Sequence, residues 1–205
     1  MNTYIKQRGF TLIEGIITIV LLAIAMITLV SFLFPQVERS AVPQYQARSA
    51  AMADAIFNEI LARQFDQNSD PNGDSVYRCD EDITQVKIDP CTLATRLGPD
   101  DPLEATNPAM ANDVDDFIGC WGDTTQCSNP YTYNGNNYVK PSLTSRRGEL
   151  TDLVPSLSTA NYAHIYATIN VEDMSESPKT LKKITVSVDA GRYGKYYYIA
   201  YRGNY

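Results

Sequence analysis

Twenty residues from Gly15 to Phe34 carry no charge, and this run constrains the fold more than any other stretch. At about 1.5 Å per helical residue it covers about 30 Å, the thickness of a bilayer's hydrocarbon. An ordinary secretory signal has a shorter apolar core and a small-residue cleavage site beyond it. Here the run ends in Phe32-Leu33-Phe34-Pro35, so the helix is expected to remain in the mature chain. Lys6 and Arg8 precede it, and the positive-inside rule then keeps the N-terminus cytoplasmic and sends the remainder outward.

Glu14, at the head of the run, is the anomaly. A carboxylate in such a helix costs up to about 3 kcal/mol, less at the interface. A cut between Gly9 and Phe10 would create an α-amino group four residues before it, about one helical turn away. That amine can pair with Glu14 of its own chain or of a neighbour, and the second pairing would also align two helices.

Lys6-Gln7-Arg8-Gly9-Phe10-Thr11-Leu12-Ile13-Glu14 and the apolar run after it resemble the class III signal of type IV pilins and pseudopilins. The resemblance implies that a membrane prepilin peptidase and methyltransferase cuts after Gly9 and methylates Phe10. It implies that Glu14 guides the subunit into a filament whose core is a bundle of these helices. Gly15 stands where the family usually has Leu, a local departure that permits close packing. Some tip subunits of the family lack the Glu, so its presence implies that another subunit can sit distal to this one. The mature chain of 196 residues, 205 less nine, has the size of minor pilins and minor pseudopilins. Leu33–Ser40, Phe65–Ser69 and Asp113–Phe117 look like the minor prepilins of mannose-sensitive haemagglutinin (MSHA) pilus systems. The implied life history runs from a single-pass inner-membrane protein with a periplasmic head, handled by an inner-membrane assembly platform, to an extracellular filament. Its partners would be other pilins, met through the N-terminal helix.

Four segments are expected: a leader, 1–9; a membrane and filament-core helix, 10–34; an amphipathic outer half, 35–65; and a globular head, 66–205. Pro35 and Pro43 remove backbone donors and should kink or interrupt the helix. After them Tyr45, Met52, Ala53, Ile56, Phe57, Ile60 and Leu61 recur near the helical period, with Arg48, Asn58, Glu59 and Arg63 on other faces. From Asp66 to about Pro155 turn-forming residues dominate and no period is clear, so short strands are expected inside a region too long for a bare loop. Ile165, Ala167, Ile169 and Val171, then Ile184, Val186 and Val188, alternate with polar neighbours. Tyr196 to Tyr201 forms a third strand after the turn Asp189–Gly194. The fold class is therefore α+β, a long N-terminal helix packed on a C-terminal antiparallel sheet with a loop-rich region between.

Cys79, Cys91, Cys120 and Cys127 all lie beyond the apolar run, where an outward compartment allows disulfides. Of three connectivities, the sequential one, Cys79 with Cys91 and Cys120 with Cys127, closes the smallest loops and is expected. Zinc is disfavoured, since no Cys-x-x-Cys occurs and the single histidine, His164, is distant in sequence. Two registers of a calcium loop, from Asp66 and from Asn68, each lack a required residue. Asp113, Asp115 and Asp116 could add oxygen ligands, and some major pseudopilins bind calcium, but a solvated acidic turn is the expectation. No cofactor is expected.

His164 is expected as a plain polar residue on a strand face. With no nucleophile elbow or phosphate loop, an enzyme has little support. The chain carries 17 basic and 24 acidic side chains, net −7, and removal of Lys6 and Arg8 leaves 15 against 24, or −9. That balance disfavours nucleic acid as a partner; the pair Arg146-Arg147 is expected in a solvated turn. Fourteen tyrosines, five of them in the last ten residues, suit either packing or a contact surface.

Overall fold

The computed structural model describes residues 9–69, 78–81, 88–157 and 164–204. The expected leader, with Lys6 and Arg8, lies outside them apart from Gly9, as does the turn at Asp70–Asp74. The chain divides into two compact units, Met1–Gln44 and Tyr45–Tyr205, each considered by itself.

One helix, α1 (Leu12–Leu61), supplies most of the described residues of the first unit and the opening of the second. It runs without interruption through Pro35 and Pro43, where the sequence suggested a kink or an interruption. Each proline costs about 3 kcal/mol in a helix interior, but a break would require a second costly nucleation. In the first unit the apolar side chains lie exposed along the whole run. Among the described residues this is the one helix long and apolar enough to cross a membrane.

The second unit is built on a six-stranded sheet of order β2-β3-β1-β4-β5-β6. Its strands are β1 (Gly119–Trp121), β2 (Asn129–Pro130), β3 (Ser145–Gly148), β4 (Tyr166–Asp173), β5 (Leu181–Asp189) and β6 (Lys195–Gly203). The last three form an antiparallel meander joined to β1, also antiparallel, whereas β3 lies parallel to both β1 and β2. The C-terminal alternation therefore reads correctly, and the loop-rich region does hold short strands. His164 is exposed and sits before β4, a correction to its expected place on a strand.

Register sets the core. Ala167 faces Val188, Ile169 faces Val186 and Val171 faces Ile184, six side chains excluded from water. Met52, Ala53, Ile56 and Ile60 of α1 join them in one cluster, with Tyr45, Phe57 and Leu61 at its margin. Full burial of each large aliphatic is worth about 1.5–3 kcal/mol, which is why the helical stripe settles on this face. Tyr45 stacks on Tyr193 with ring centroids 3.9 Å apart. Trp121 fills the far end and donates from Nε1 to Phe117 O at 3.0 Å.

Two disulfides, Cys79–Cys91 and Cys120–Cys127, tie the connecting region. They close short loops, 12 and 7 residues apart in sequence, which limits what each takes from the entropy of the unfolded chain. A one-turn helix, α2 (Pro102–Thr106), begins at Asp101, whose carboxylate accepts from the Leu103 and Glu104 amides while Glu104 reaches back. This is a capping box.

Candidate functional site: a helix head and a buried ion cluster

At the head of α1, Gly9 and Phe10 are exposed and lie in non-helical backbone just before the first turn. Thr11 O accepts from the amides of Glu14 (3.1 Å) and Gly15 (3.2 Å), so the helix begins two residues after Phe10. Glu14 is the only acidic residue of the first turn. An exposed carboxylate there meets the positive end of the helix dipole. A peptidase needs accessible, non-helical backbone, and the Gly9-Phe10 bond offers both; the exposed Glu14 side chain is placed to meet a positive group from elsewhere.

The second feature was not legible as a site. Lys182, on the inward face of β5, is 0% exposed. Its Nζ pairs with Asp115 Oδ1 and with Asp66 Oδ2 at 3.4 Å, and lies 4.8 Å from the centre of the Phe65 ring. Asp66 also accepts from the Thr92 amide (2.9 Å) and the Asn68 amide (3.1 Å). Asp115 accepts from the Gly98 amide at 3.0 Å, and Asp113 from the Gln67 and Asp115 amides, each at 2.9 Å. Asp66, Asp113 and Asp115 group closely enough to hold a cation, and the Lys182 ammonium supplies that charge. The cluster therefore joins the chain just past α1, the 113–116 segment and β5.

Glu104 and Asp116 continue the acidic patch. Glu104 accepts from the Asp100 and Asp101 amides and from Asn112 Nδ2 (2.6 Å); Asp116 Oδ2 accepts from the Asn112 and Asp113 amides. Asp116 Oδ1 has no hydrogen-bond partner among the described residues. Arg147 is buried beside them and spends its guanidinium on backbone carbonyls, donating to Asp116 O (2.7 Å), Ile118 O (2.9 Å) and Glu104 O (3.0 Å). Gly119 permits this approach. Its φ is +136°, and a Cβ there would stand 2.8 Å from Ser145 O and against the Arg147 stem. Two expectations are thus corrected. Asp113, Asp115 and Asp116 are buried rather than a solvated turn, because backbone amides and Lys182 replace water around them. Arg147 lies in β3 rather than in a solvated turn.

Burial governs the charges. It would push the Lys182 ammonium down, but Asp115, Asp113 and Asp66 outweigh it and hold the group well above its ordinary value. Burial, then the neighbouring Asp115 charge, raises Asp113 well above the carboxylate range. Burial, then Glu104, raises Asp116 to about 7, and burial, then Asp115, takes Asp100 to about 7. Burial lowers Arg147 to about 10, so it stays charged at neutral pH.

The sign of the linkage follows. Carboxylates raised in the folded state hold protons that the unfolded chain has released. Their contribution is complete below the unfolded value near 3.8 and is lost as pH rises through about 7. The full chain in detergent is expected to melt several degrees lower at about pH 8 than at about pH 5. Asp116→Asn, which imitates the protonated acid, should flatten that slope and raise the melting temperature at the higher pH. A slope of opposite sign would contradict the protonation states.

A family model described as the prokaryotic N-terminal methylation motif matches residues 5–30. The match covers the basic leader, the Gly9-Phe10 bond, Glu14 and most of the apolar run. Neither the curated proteins nor the solved structures give a match. The motif supports a type IV pilin-like or pseudopilin protein, implies processing by a prepilin peptidase and assembly with other pilins, and fits membrane anchoring before assembly. It marks a structural rather than an enzymatic family.

Proposed function

We propose that this chain is a minor type IV pilin, a low-abundance subunit of a bacterial surface filament. It is cut between Gly9 and Phe10, methylated on Phe10 and recruited through Glu14. The observation that carries this reading is the helix head, where an accessible Gly9-Phe10 bond precedes an exposed apolar helix with one acid in its first turn, inside a methylation-motif match. The head lies on the periplasmic side before assembly, as the basic leader and the cysteine pairs favour.

The finer reading is a D-type minor prepilin of an MSHA-like adhesive pilus. Two of the segments behind that likeness, Phe65–Ser69 and Asp113–Phe117, meet at the Lys182 cluster, so they serve the stability of the head. Cells should be sheared, and the chain followed by immunoblot in the filaments and in the inner membrane. Recovery with the filaments at substoichiometric amounts is expected. Confinement to the membrane would replace the reading by a minor pseudopilin of a type II secretion system.

A further inference from the structure

The sheet ends on β6, and the hydrogen-bond phase of that strand can be worked out. Ala190 N–H donates to Gly194 O (2.9 Å) and Asn204 N–H to Thr180 O (3.0 Å). Both pairs belong to the same antiparallel register that sets Val188 opposite Tyr196 and Lys182 opposite Arg202. Bonded and non-bonded pairs alternate in such a ladder, so Tyr196, Tyr198, Ala200 and Arg202 bond inward to β5. Lys195, Tyr197, Ile199, Tyr201 and Gly203 then turn their N–H and C=O groups to the free edge. Among the described residues these groups make no hydrogen bond.

Their side chains are also uncovered. Tyr197 is 65% exposed, Ile199 53% and Tyr201 54%, a stripe along the outer face of the edge strand. Proteins ordinarily blunt an edge with a short strand, a proline, a bulge or inward charge. β6 has nine residues, no proline and an unbroken register. Residues 190–204 contain Arg192, Lys195 and Arg202 and no acid, whereas the rest of the chain holds 14 basic against 24 acidic side chains. Of the three, Arg192 and Lys195 are exposed, so the end of the edge nearest the turn is basic on an acidic molecule.

We propose that β6 is a docking edge for an acidic extended segment of a partner protein, which adds a seventh strand. The partner's main chain pairs with the outward groups of residues 195–203. Its apolar side chains lie beside Tyr197, Ile199 and Tyr201, and its carboxylates meet Lys195 and the basic turn at Arg192. This mode takes affinity from the main chain and specificity from alternate side chains. A second copy of this chain fits less well, because its own edge, residues 190–204, brings no acid to meet Lys195 and Arg192. The inference rests on the edge alone and stands whether or not the chain enters a filament.

The test uses the full chain in detergent and fluorescence anisotropy with a labelled Glu-Val peptide as long as β6, with Val where it lies beside Tyr197, Ile199 and Tyr201 and Glu elsewhere, including beside Lys195. The expected affinity is at least about tenfold above that for the Lys-Val peptide of equal length. Ile199→Pro removes only an outward N–H and should weaken binding at least about tenfold. Lys195→Glu, at an exposed side chain, should weaken it severalfold and reduce its salt dependence. A Glu-Val peptide methylated on every backbone amide should not bind. Equal affinity for the two peptides, or equal affinity for the methylated one, would overturn the proposal. So would sedimentation of the chain as a dimer cross-linked through Tyr197→Cys, which would give the edge to a second copy.

Discussion

A Lys182→Met protein is expected to lose most of the stability of its head at neutral pH. The Met side chain fills much of the volume, so packing changes little, but Asp66, Asp113 and Asp115 lose the cation they surround. Removing one partner of a buried ion pair costs about 3–5 kcal/mol, and a domain has only about 5–15 to lose. Because both Asp66 and Asp115 pair with Lys182, the upper part of that range applies. Thermal melts and limited proteolysis of the full chain would show the loss. Acid should restore part of it by protonating the orphaned carboxylates, and Lys182→Met with Asp115→Asn should be more stable than Lys182→Met alone. A variant as stable as the parent at pH 7 would mean that the ammonium compensates nothing.

Glu14→Ala is expected to leave processing intact and to lower recovery in filaments by more than about tenfold. Removal of the carboxylate makes membrane insertion easier by up to about 3 kcal/mol, so a failure of insertion cannot explain the loss. What disappears, on the proposed function, is the counter-charge for a Phe10 amine on a neighbouring helix. The exposure of Glu14 in the isolated chain is consistent with a partner supplied by another subunit. Glu14→Ala chains found in filaments at the parental level would remove Glu14 from assembly. A filament defect accompanied by an unprocessed precursor would instead place Glu14 in peptidase recognition.

The sequence was most legible where one period dominates. The apolar run, the stripe Met52, Ala53, Ile56 and Ile60, and the alternation of β4 and β5 each repeat one physical demand several times. β1, β2 and β3 have two to four residues each, too few for alternation to show, and the parallel pairing of β3 with β1 depends on contacts between segments far apart in sequence. The two prolines of α1 do not interrupt the helix, because their local cost is set against the cooperative helix on either side.

The ion cluster was hidden for a different reason. Asp66, Asp113, Asp115 and Asp116 are acids in turn-rich surroundings, where exposure is the normal outcome. A usable signal did exist in β5. The alternation that buries Ile184, Val186 and Val188, continued two residues back, puts Lys182 on the same inner face, and a lysine there requires buried acids. Nothing comparable marks Arg147, whose partners are backbone carbonyls.

The helix head tests the functional account most directly. Mass spectrometry of the chain isolated from its native membrane should find an N-terminal peptide that begins at Phe10 and carries a methyl group on its amine. A peptide that begins upstream of Gly9 in the mature, membrane-resident protein would contradict processing, and with it the assignment of this chain to a filament.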